Sequence, residues 1–145
     1  MPYQAFIKIA GVTTETSDGY IEIVAWSFGA SNPSTVGTGA SGGGSGKVSF
    51  SDFHVTKVVD GASPDIFKLA IAGTIIPTVM LQVRKETSSG GSGSVYFSVT
   101  FSNVLIAMYT LGEGNPGNDS GQNALPKESI SFNFEGIEFT YHPQG

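Results

Sequence analysis

The sequence predicts a mainly β fold: a small closed or partly closed antiparallel β-barrel with one short α-helix and a long Gly/Ser-rich loop. Three observations predict it. Segments rich in Val, Ile, Phe and Tyr, which suit a pleated and half-buried surface, recur along the chain. The glycines, 20 of 145 residues, concentrate in polar stretches at 31–46, 88–94 and 112–121 that separate those segments. In three of the apolar segments the period of two slips by one residue. A slip sends the apolar set to the wrong side unless a bulge absorbs it or the strand is interrupted, and long bent strands are what a closed sheet requires.

Residues 3–10 form the first strand, with Phe6 facing away from Ile7 and Ile9. Residues 20–30 form the second, with Val24, Trp26 and Phe28 on one side and Ala25, Ser27 and Gly29 on the other. The third, 47–58, carries Val48 and Phe50 on one parity and Phe53 and Val55 on the other. A helix follows over 63–72: Ser63 suits the N-cap, Pro64 the first helical position and Asp65 the positive end of the dipole. Ile66, Phe67, Ala70 and Ile71 make its apolar stripe, Gly73 closes it in a left-handed conformation, and it is expected to plug one face or mouth of the barrel. Strands at 78–86, 95–111 and 129–141 complete the fold. In the first of the two long strands Val95, Phe97, Val99 and Phe101 give way to Val104, Ile106 and Met108. In the second, Ile130, Phe132 and Phe134 give way to Ile137, Phe139 and Tyr141, with Gly136 suited to a bulge. Residues 1–145 are expected to be a single domain, long enough to bury a core without staples.

Composition excludes several functions. A net charge of −5 with 7 Lys+Arg opposes a nucleic-acid groove, which needs clustered positive charge. The absence of cysteine removes thiol catalysis, disulfides and thiolate metal sites. No apolar run approaches the roughly 18 residues of a membrane span, and residues 1–11 lack the basic start and apolar stretch of a secretory signal. Charged residues are 13%, against a usual share of about 25%, so the surface must be largely Ser, Thr, Asn and Gly.

Motifs that could carry chemistry fail on context. Gly37, Gly39 and Gly42 satisfy the dinucleotide pattern, but more glycine and then a strand follow where a helix N-terminus is needed. Ser41 stands in a G-x-S-x-G match without the strand, helix and base of a nucleophile elbow. His54 shares a strand parity with Asp52, yet spacing places no third metal ligand, and a hydrogen-bonded strand histidine is the expectation. His142 is expected to be solvated. Among Asp52, Asp60, Asp65, Glu135 and Glu138 no spacing singles out a pair for glycoside chemistry. Trp26, near Tyr20 and Phe28, is expected to pack in the core rather than stack a sugar. No catalytic residue, cofactor or metal is therefore expected. The low surface charge and the Gly/Ser arm at 31–46, long for a loop without structure of its own, point to a self-associating β module. A carbohydrate-binding β-sandwich module and a small hydrolase are the rivals.

Several stretches resemble the haemolysin-coregulated protein (Hcp) family. They are 6–9 and 23–29, the Gly/Ser loop running into 46–53, the segment 56–64 ending in Ala62, Ser63 and Pro64, then 83–85, 130–134 and 139–144. The resemblance spans nearly the whole chain in order. It implies a β-barrel with one helix that assembles into hexameric rings, which stack into the inner tube of a type VI secretion system. It also implies contractile sheath and spike proteins as partners, effector proteins carried in the lumen, and no enzymatic activity. The protein would be assembled in the bacterial cytoplasm and then secreted by the machine, which would account for the missing signal.

On that resemblance the small residues Ala25, Ser27 and Gly29 are the lumen candidates, and the polar face of the helix is expected to border the lumen. The arm, through Ser31, Val36, Gly39, Ser41, Gly44 and Ser45, would reach toward the neighbouring ring. The stretch 112–125, with Glu113 and Asp119 as its charges, stands where more acidic and basic residues are expected before the last strand, so stacking is expected either to be weaker or to rely on backbone pairing by the arm.

Overall fold

The period-two patterns of the two longest apolar segments produce the two longest strands, β6 (Ser92–Gly112) and β7 (Lys127–Tyr141), which pair antiparallel along most of their length. The computed structural model describes residues 3–12, 14, 16, 18–31, 49–86, 92–112 and 125–143. The other elements are β1 (Tyr3–Ile9), β2 (Ile21–Ile23), β3 (Ala25–Ser31), β4 (Ser49–Val58), α1 (Ser63–Ala72) and β5 (Ile76–Glu86). They form one seven-stranded antiparallel sheet in the order β2-β1-β5-β6-β7-β4-β3.

The segment expected as one strand over 20–30 is two. Ile21–Ile23 pairs with β1, Ala25–Ser31 pairs with β4, and between them the Val24 N–H donates to the Thr56 carbonyl at 2.7 Å. The strands at the two edges of the sheet are thus one run of chain that changes partners at a single residue. The sheet curls until it meets its own beginning, which makes a partly closed barrel. Its interior is filled by the inward parities of every long strand: Ile7 and Ile9, Phe53 and Val55, Val79, Leu81 and Val83, Val99 and Phe101, Ile130 and Phe132.

The three phase slips are resolved in different ways. In β4 a bulge does it: Ser27 faces His54 and Gly29 faces Ser51, so two residues of β4 oppose Phe28 alone. In β6 and β7 the slips lie opposite one another. Ser102 faces Gly136 and Val104 faces Phe134 with register unbroken, so both strands change face together. Asn103, at a positive φ of 51°, turns β6 at this point, and its side-chain N–H donates to Glu135 Oε1 at 3.0 Å. Gly136 is therefore not the bulge expected of it. A Cβ there would come within 3.1 Å of Ser102 Oγ and press on that hydroxyl. The extra residue of β6 is Ala107, between the Ile106–Phe132 and Met108–Ser131 pairs. It turns Met108, expected in the apolar row, out to 62% exposure.

Helix α1 follows β4 and packs on β6, burying Ile66, with Ala62 buried just before it. Ser63 is not its N-cap. The cap is Ala62, and Ser63 is the first helical residue, its hydroxyl accepting from the Asp60 N–H at 3.0 Å. Gly73, at φ 64°, ends the helix as expected. The predicted stripe is wider than the face it covers: Phe67 and Ile71 stay exposed, as does Ile75 beyond the helix.

Candidate functional site

The polar face lies outside the barrel, on β3, β4 and β7. Ala25 and Ser27 are exposed there, while Gly29 lies partly under Ser51, whose hydroxyl donates to the Gly29 carbonyl at 3.2 Å. Ser27 is in register with His54, and His54 Nδ1 lies 2.7 Å from Ser131 Oγ on β7. Asp52 shares this face but accepts from Asn133 at 3.4 Å, so the carboxylate that could orient the imidazole is held by an amide instead. His54 is the hydrogen-bonded strand histidine expected of it. Its serine partner, 77 residues away in sequence, was legible only once β4 and β7 were known to pair. Ser31 ends β3, while Val36, Gly39, Ser41, Gly44 and Ser45 lie outside the described residues, as do the glycine motifs. Among the described residues no three His, Asp or Glu gather as a metal site.

A second site lies at the end of the barrel where β4 leads into α1, and sequence reasoning missed it. Lys57 and Glu128 are cross-strand partners on the core face, each with 0% exposure. Lys57 Nζ donates to Asp60 Oδ1 at 2.9 Å, to the Val58 carbonyl at 3.1 Å and to Ser63 Oγ at 3.4 Å, and lies 3.6 Å from Glu128 Oε1. Asp60 Oδ1 also accepts from the Ala62 N–H at 3.0 Å. The Tyr109 hydroxyl donates to Glu128 Oε2 at 3.2 Å. Above this network opens a concavity of about 330 Å³ with walls of Val59, Pro64, Phe67 and Leu111 and with Asp60, Ser63 and Tyr109 as its polar members.

Burial pushes the Tyr109 hydroxyl up to about 12, and the adjacent Glu128 charge and its hydrogen bond add to the shift. A raised folded-state value stabilises the fold fully below the unfolded tyrosine value of about 10, and that contribution is lost as pH rises from there toward 12. An alkaline titration followed at the tyrosinate absorbance band should therefore show a late component near pH 12 that Tyr109→Phe deletes. If the late component survives that substitution, the assignment is wrong.

Two unlike apolar surfaces sit at opposite ends of the β6–β7 pair. At the α1 end Val59, Phe67, Ile71 and Leu111 are exposed around the concavity. At the other end Tyr3, Trp26, Phe139 and Tyr141 are exposed around the half-buried Phe97, which touches Trp26 at 5.8 Å and Phe139 at 5.4 Å between ring centroids. Trp26 is thus not the core residue expected. It points inward at an open rim, 36% exposed, with one neighbour, Phe28, stacked at 6.2 Å.

The family model described as "Type VI secretion system effector, Hcp" matches residues 5–141. No curated protein sequence matches. Among solved structures, one titled as a type six secretion system protein superposes with a TM-score of 0.79 at 26% identity, covering 99% of this chain and 86% of that one. Hcp1 from Salmonella typhimurium gives 0.74 at 23% identity over 100% and 89%. A type VI secretion system effector from Yersinia pestis gives 0.67 at 23% over 97% and 91%.

Proposed function

The chain belongs to the Hcp family of type VI secretion proteins, and from that membership we propose that it is a tube subunit. Six copies close into a ring, rings stack into the inner tube inside a contractile sheath behind a spike, and the tube is fired out of the cell. Ala25, Ser27 and Gly29 face the lumen, past which effector proteins travel, and the arm that leaves β3 at Ser31 joins successive rings. The subunit itself catalyses nothing.

The observation that carries the assembly is the pair of unlike apolar surfaces. A head-to-tail array of identical subunits uses two different patches on each copy, whereas a two-fold dimer uses one patch twice. Exposed aromatic and aliphatic clusters of this kind mark association surfaces. A carbohydrate-binding module also uses exposed aromatics, but it needs an open ring face. Trp26 has Phe28 stacked on it and Phe97 at its edge.

Negative-stain electron microscopy with native mass spectrometry tests the proposal. Six-fold rings with an open centre are expected, and Phe67→Asp or Phe139→Asp should each shift the mass toward monomer. Clean monomers of the unsubstituted protein at high concentration would sink it.

A further inference from the structure

We propose that the concavity between α1 and β6 is a binding site for a small organic cation, an ammonium group carried on a short apolar body. The site belongs to a single subunit, so it goes beyond the tube function and does not depend on it.

Charge is the first reason. One ammonium, that of Lys57, faces the carboxylates of Asp60 and Glu128, so the network beneath the concavity carries a formal excess of negative charge. Glu128 Oε1, fully buried, accepts no hydrogen bond. Among the described residues no Lys or Arg lines the concavity to balance that excess.

Hydrogen bonding points the same way. Asp60 spends Oδ1 on Lys57 Nζ and on the Ala62 N–H, and its Oδ2 takes no donor from the described residues. The Tyr109 hydroxyl gives its proton to Glu128 Oε2, which leaves its oxygen as an acceptor. Asp60 and Tyr109 both line the concavity, so an occupant must donate to them. An ammonium carries three donors and no acceptor.

The walls complete the case. Phe67 and Tyr109 have ring centroids 5.5 Å apart with 60° between their planes. Aromatic faces attract a cation more than a neutral group of the same shape, and more strongly as the cation leaves water. Val59 and Leu111 offer apolar surface to the rest of the ligand. The volume of about 330 Å³ is at the small end of ligand pockets, roughly 300–1,000 Å³, so the body is one ring or a short chain.

A ligand-observed NMR titration tests the site with 2-phenylethylamine, protonated at about pH 7. Its control is 2-phenylethanol, the same skeleton with a neutral hydroxyl. Both are titrated into Phe139→Asp, which disables the opposite end of β7, so that no neighbour covers Phe67 and Leu111 and the concavity keeps every residue. The amine should bind about tenfold more tightly than the alcohol. Adding Leu111→Lys, at a 60% exposed position, sets a second ammonium at the rim and should weaken the amine about tenfold. Adding Thr140→Lys instead, at an exposed position near the far end of β7, brings the same charge and should leave binding unchanged. Equal affinity for amine and alcohol would overturn the site. So would amine binding that survives Leu111→Lys, an equal loss in Thr140→Lys, or no saturable binding at all. Rings in micrographs of the unsubstituted protein, or their absence, judge the tube function alone.

Discussion

Replacing Lys57 with methionine is expected to destabilise the subunit by about 3–5 kcal/mol, because it leaves a carboxylate without its counter-charge in the core. Glu128 has 0% exposure, and with Lys57 gone its remaining partner is the Tyr109 hydroxyl. Asp60 loses its ammonium as well, and the turn into α1 loses the donor that ties Val58, Asp60 and Ser63 together. Replacing Glu128 with leucine alone should cost less, since the ammonium keeps Asp60 at 2.9 Å as its counter-charge. The double replacement should recover most of the loss and end within about 1–2 kcal/mol of the parent. What it cannot restore is the donor that tied Val58, Asp60 and Ser63 together, and the acceptor of the Tyr109 hydroxyl. Urea midpoints for the four corners of this cycle, at one protein concentration because assembly adds concentration-dependent stability, give the coupling directly. A double variant as unstable as the sum of the singles would show that the pair does not act as a unit.

Phe101→Ala should be comparably severe, about 3–5 kcal/mol, by cavity formation in a close-packed core. Phe101 is fully buried and is the ring on which the aromatic interior converges. Phe53 stacks on it at 4.4 Å with 17° between planes, Phe134 lies at 4.8 Å and Phe28 at 5.6 Å. Each lost ring contact adds about 0.5–1.5 kcal/mol to the transfer and cavity contributions. It also sits two residues before the Asn103 turn, where the neighbouring backbone is fixed by cross-strand bonds and has little freedom to collapse into the space. Phe139→Ala is the contrast. That ring is 61% exposed, so its loss should change the subunit's own stability little while weakening assembly. If Phe101→Ala falls below about 1.5 kcal/mol, the core is more plastic than its packing indicates.

Much of the fold was legible because the determining patterns are local. Parity placed the strands, and the Pro64 to Gly73 interval placed the helix with its left-handed end. The phase slips announced bends, although only the paired register distinguishes a bulge in β4 from a shared turn in β6 and β7. The change of partner at Val24 was not legible, because nothing in 20–30 interrupts the apolar pattern and the cause is closure of the sheet. Ser63 was misassigned for a related reason: its hydroxyl had a better partner in the Asp60 N–H than the helix start offered.

The buried ion pair was missed although parity held it. Phe53, Val55 and Lys57 alternate on the core face of β4, and their partners Phe132, Ile130 and Glu128 alternate on the same face of β7. The charge of a lysine argues for solvent, and here the period of two was the better guide. For the polar face, Ala25 and Ser27 could be grouped from the sequence, but the His54–Ser131 contact required two distant strands to be brought side by side.

The shared turn of β6 and β7 also constrains how such a chain can change length. Because both strands switch faces at the same rung, losing Asn103 would restore plain alternation in β6 and leave the extra residue of β7 as a bulge, like the one β4 carries opposite Phe28. Matched deletions at Asn103 and Glu135, 32 residues apart in the chain, would straighten both strands with the register unbroken. The bend of these two strands thus belongs to the pair, and changing it in one strand alone would trade a shared turn for a bulge.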